Sequence, residues 1–72
     1  MSAYNSPTTE EYENLERLID RVSIGEVLEM IGNIAYEKAD HVFGVYADKN
    51  LGAHWNKFGD KIHKLATWTR ED

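Results

Sequence analysis

Gly25, Gly32 and Ala39 recur at seven-residue intervals, and Gly52, Gly59 and Ala66 do the same. Glycine inside a helix costs about 1 kcal/mol relative to alanine, so four of them in two helical stretches call for a compensating contact. Close approach of two backbones is such a contact. Paired antiparallel, Gly25 faces Ala66, Gly32 faces Gly59 and Ala39 faces Gly52, and all three pairs share a midpoint between Val45 and Tyr46. Gly44 and Asp48, both turn residues, flank that midpoint. Handedness agrees as well. Each small stripe lies roughly 70° to the same side of its own helix's large apolar residues. Facing the stripes therefore turns Leu28, Ile31, Phe58 and Ile62 together to one side of the pair.

The rest of the chain reads as helix. Apolar residues recur at helical rather than alternating spacing, and the one proline, Pro7, precedes every periodic segment. Thr8-Thr9-Glu10-Glu11 is a capping box that opens helix 1 at about 8–22. Its apolar stripe is Tyr12, Leu15, Ile19 and Val22 with Leu18 beside it, and Glu13, Glu16, Arg17 and Asp20 face outward. Ser23-Ile24-Gly25-Glu26 repeats the capping pattern at once, so helix 2, about 24–43, follows a very short turn.

Ile24, Val27, Leu28, Ile31, Ile34, Ala35, Ala39 and Val42 cover about half the circumference of helix 2, more than a surface helix needs. Helix 2 should therefore be central. Gly44 suits a left-handed C-terminal position and Asp48 an N-cap. Helix 3, about 48–68, carries the stripe Leu51, Trp55, Phe58, Ile62 and Leu65. The expected fold is all-α: one helical domain over 1–72, with 1–6 and 70–72 frayed. Helices 2 and 3 form an antiparallel hairpin in that fold, and helix 1 packs on its broad face.

Seventy-two residues lie near the lower limit for a self-sufficient core, and no cysteine supplies a staple. Self-association is the staple left, and a homodimer is expected. The longest apolar run, Val42 to Ala47, falls far short of the ~20 residues a membrane span requires. Met1 to Ser6 shows neither the basic nor the apolar region of a secretory signal, so a soluble cytoplasmic protein is expected. The net charge is −5, and residues 1–29 hold seven carboxylates against Arg17 and Arg21. Phosphate binding needs clustered Lys and Arg, so nucleic acid is a poor partner for the surface as a whole.

No arrangement of residues points to catalysis. The nearest approach to a metal set is Glu37 with His41 and Asp40 on helix 2, and His54 and His63 on helix 3 stand nine apart without repeating it. Solvated histidines on amphipathic helices account for these positions, so no metal or cofactor is expected. The glycines form no phosphate loop, and no Ser-His-Asp pattern occurs. Helices 1 and 2 resemble a helix-turn-helix only in their tight turn, because helix 2 would offer Glu26, Glu29, Asn33, Glu37 and Asp40 to phosphates. Lys57, Lys61 and Lys64, with Trp68 on the same flank of helix 3, form a short basic row.

The functional expectation is a small non-enzymatic protein–protein interaction module, an adaptor or inhibitor of the kind that phage and mobile genomes carry. Its partner is a second copy or a larger protein. Its partner face would be an apolar strip, Val27, Met30, Ile34 and His41, edged by Glu26, Glu29, Glu37 and Asp40. The alternative expectation is a nucleic-acid-directed protein, either a DNA mimic through the acidic N-terminal half or a weak binder through the helix 3 lysine row.

Overall fold

The computed structural model describes residues 5–70, and the remaining expected frayed positions, 1–4 and 71–72, lie outside them. Among the described residues there are three α-helices, α1 (Thr9–Val22), α2 (Ile24–His41) and α3 (Lys49–Thr69), with a π-helical turn, Val42–Tyr46, continuing α2. Local chemistry sets each start. At α1 the Thr8 hydroxyl accepts the Glu11 N–H at 3.1 Å, and the Glu11 carboxylate accepts the Thr8 N–H at 2.9 Å. This satisfies two of the donors a helix start leaves unpaired. The Ser23 hydroxyl accepts the Glu26 N–H at 3.4 Å, and the Asp48 carboxylate accepts the Leu51 N–H at 3.0 Å.

The α2–α3 connection differs from expectation. Helix 2 does not close on a left-handed Gly44, since no described glycine has positive φ. The chain instead winds on through the π turn, in which the Ala47 N–H bonds Val42 O, and Ala47 takes the left-handed conformation at φ 52°, ψ 30°. A π turn places one more residue in its hydrogen-bonded ring than an α turn. It keeps Val42 buried and brings the ring of Phe43 onto Gly52.

α2 and α3 pack closely and run antiparallel, and the buried positions along them are mostly small: Gly25, Gly32, Ala35, Ala39, Gly52, Gly59 and Ala66. A Cβ built on Gly59 would lie 3.2 Å from the carbonyl oxygen of Gly32 and 2.7 Å from the Tyr36 ring. One built on Gly32 would lie 2.7 Å from the His63 ring, and one on Gly52 2.6 Å from the Phe43 ring. Side chains on a helix lean back toward its N-terminus. Tyr36, His63 and Phe43 each stand four residues after Gly32, Gly59 and Ala39, so each ring reaches back one turn and lies over the glycine opposite. Tyr36 and His63 stack on one another, with centroids 5.3 Å apart and planes 11° from parallel.

The position expected for helix 1 needs a second correction. α1 does not lie on the broad face of the hairpin: it approaches α2 alone, and no Cα of α1 comes within 8 Å of one in α3. The reason is the link. Ser23 is the only residue between α1 and α2, whereas two helices folded back on each other need a loop of about 2–5 residues. Ser23 makes the bend at φ 88°, ψ 157°. The molecule that results is open, 38 × 32 × 19 Å with a radius of gyration of 14.2 Å, against about 11 Å for a compact chain of this length.

Candidate interaction surface

The seam gives the hairpin two unlike broad faces. One is polar. There the Tyr36 hydroxyl donates to Asp60, and the Arg70 guanidinium bonds Glu26 and, at 2.8 Å, Glu29. The bond from Arg70 holds the Glu29 carboxyl below its ordinary range. The bond from Tyr36 to Asp60 holds the Tyr36 hydroxyl protonated to higher pH than an ordinary tyrosine. Arg70 is thus fastened to α2 by two carboxylates. The Nε2 of His63, packed over Gly32, is buried without a hydrogen-bond partner.

The opposite face is apolar. Rotating about 70–80° from the small stripe on each helix gives Ile24, Leu28 and Ile31 on α2, and Leu51, Phe58 and Ile62 on α3. Trp55 lies on the same side, where Lys38 of α2 reaches across to place its Nζ 6.0 Å from the indole. The edge of Trp55 meets Phe58 at 6.2 Å and 88°. Among the described residues this face is largely open: Ile24, Ile31, Leu51, Phe58 and Leu65 are exposed, and Leu28, Trp55 and Ile62 are half-buried. The apolar stripe of α1 is open too, with Tyr12 68% and Leu15 47% exposed.

The residues expected to form a partner face fall into four groups. Val27 is buried, only 3% exposed, and presents no surface. Glu26 and Glu29 lie on the polar side in the grip of Arg70. Met30 and Ile34, 46% and 48% exposed, share the outer back of α2 with Glu37 and His41. Ile34, Glu37 and His41 also line a shallow depression with Lys38, Val42 and Trp55. Asp40 is exposed on the polar flank. Helical angle and residue type alone identified the outer strip. They missed the larger surface, Ile24 through Leu65 on the hairpin, because helix 1 was expected to cover it.

Lys57, Lys61, Lys64 and Trp68 are exposed on the outer side of α3. Among the described residues no three His, Asp or Glu side chains converge on a metal position, and no helix is long and apolar enough to cross a membrane. Compared with protein-family models, curated proteins and solved structures, the chain matches none.

Proposed function

We propose that this chain is a small non-enzymatic protein–protein interaction module, an adaptor or inhibitor acting as a homodimer in the cytoplasm. One observation carries the reading: no large side chain among the described residues is fully buried, while thirteen large apolar residues are exposed. Burial of apolar surface is the main favourable term in both folding and association. A chain that spends little of it inside one molecule has it available between molecules. The broad hairpin face suits self-association, and the Met30–Ile34–His41 strip, edged by Glu37, suits a larger protein with an apolar ridge and a basic rim.

An affinity pull-down from the native host tests this, comparing the native chain with a Met30→Asp/Ile34→Asp variant of unchanged helicity. The expected result is a defined protein held by the native chain and lost by the variant. Recovery of nucleic acid that is released steeply by salt, or of nothing that distinguishes the two baits, would overturn the reading.

A further inference from the structure

The apolar hairpin face needs a cover, and the chain's own α1 cannot be that cover. The Ser23 link is one residue long, and α1 leaves α2 without approaching α3. From this, and resting on the interaction-module reading above, we infer that the face is covered by α1 of a second copy, each chain lending its α1 to the other. The area supports it. A folded monomer of 8.3 kDa exposes about 4,600 Å². This chain exposes 6044 Å² over its whole length, about 1,400 Å² above that figure, shared among the hairpin face, the α1 stripe and the rest of the surface. A standard interface needs only about 800 Å² from each partner.

Charge selects α1 as the occupant. Residues 10–16 carry Glu10, Glu11, Glu13 and Glu16 and no cation. Glu11, Glu13 and Glu16 border Tyr12 in the open part of the α1 stripe, which also exposes Leu15. The hairpin face is edged by Lys38 on α2 and by His54 and Lys61 on α3, and the one carboxylate beside it is Glu37, next to Lys38. An α1 laid along the face sets acidic flanks on basic edges, whereas two hairpin faces laid together would set basic edge on basic edge. Length agrees: the 14 residues of α1 span about 21 Å and the 18 of α2 about 27 Å. The reciprocal exchange is a closed twofold assembly that reuses one patch on both chains.

The chain contains no cysteine, so single cysteines at the rim can report the arrangement without disturbing the apolar contacts. A Glu16→Cys chain is mixed with a Lys38→Cys or a Lys61→Cys chain, equilibrated and oxidised. Sedimentation equilibrium of the native chain should show a dimer, and at least one mixture should give a covalent heterodimer of its two different chains. Separately, Lys61→Glu should raise the dimer dissociation constant by roughly tenfold. The exchange is overturned if the native chain sediments as a monomer. It is overturned equally if Lys38→Cys and Lys61→Cys chains link to each other in preference to Glu16→Cys, or if a Glu16→Cys/Lys61→Cys double variant closes within one chain at high dilution. A monomer would remove the homodimer from the reading above as well, whereas either wrong crosslink removes the exchange alone, and none of these results touches the pull-down that tests the larger partner.

Discussion

Ser23 carries two opposed energies in one residue. Its hydroxyl caps α2, a contact worth about 1 kcal/mol against alanine and only a few tenths against glycine. Its backbone sits at φ 88°, ψ 157°, a region held almost solely by glycine, where another residue carries about 1–3 kcal/mol of strain. The signs of two substitutions should therefore differ. Ser23→Ala keeps the strain and loses the cap, and should destabilise by about 1 kcal/mol. Ser23→Gly relieves more than it loses, and should raise the urea midpoint. Equal losses in both would show that the backbone there is relaxed.

Tyr36 and Glu29 give the same scale a pH dependence. Tyr36 has a raised folded pKa, so its bond to Asp60 stabilises fully below the ordinary value of 10.0 and fades as pH rises through the higher folded value. Glu29 has a lowered one, so its pairing with Arg70 stabilises above 4.5 and is lost as pH falls through the depressed value. In an ultraviolet titration, Tyr36→Phe should remove an ionisation that lies above the ordinary tyrosine value, and Arg70→Gln should flatten the loss of stability on the acid side. A Tyr36→Phe variant that loses an ionisation at or below the ordinary value of 10.0 would contradict the first.

At the scale of the elements, the α2–α3 seam makes glycine obligatory at some positions and wasteful at another. A Cβ on Gly59 meets the Gly32 carbonyl, which is backbone and cannot swing aside, whereas one on Gly44 meets nothing within 4 Å. Gly44→Ala should accordingly stabilise by up to about 1 kcal/mol through helix propensity. Gly59→Leu should destabilise by more than the ~1–3 kcal/mol of ordinary overpacking, overriding leucine's better propensity. Thermal melts of the two variants decide it, and a neutral Gly59→Leu would mean that the helices part more easily than the contact distances imply.

The three helices and the close packing of two of them were legible in the sequence because Thr8, Ser23 and Asp48 act within a turn of themselves. The end of helix 2 was not. Preference for glycine in the left-handed position pointed to Gly44, whereas with Val42 buried and Phe43 packed on Gly52 the chain winds on through Tyr46 and turns left-handed at Ala47. That Met30, Ile34, Glu37 and His41 share the exposed outer side of α2 was legible from helical angles. The fate of Glu26 and Glu29 was not, since Arg70 pairs with them across more than forty residues of chain.

Over the whole molecule, the proposed pairing makes stability a function of concentration: dilution should lower the melting temperature of the native chain. Phe58→Asp, which puts a charge on the uncovered face, should abolish that dependence while leaving the α2–α3 seam intact. A melting temperature that holds steady over a hundredfold dilution would argue against a dimer. The one-residue link at Ser23 adds a consequence in time. A lone helix of fewer than about 12–15 residues is marginal in water. α1 has 14 residues, none of them buried in its own chain, so α1 should become a persistent helix only as the two chains meet. Hydrogen exchange would then keep two clocks. Amides of α1 should exchange whenever the two chains part, and those of α2 and α3 only when the seam opens as well, so both should slow as protein is added and α1 should be the faster at every concentration. The slowing would record how long each chain keeps its partner.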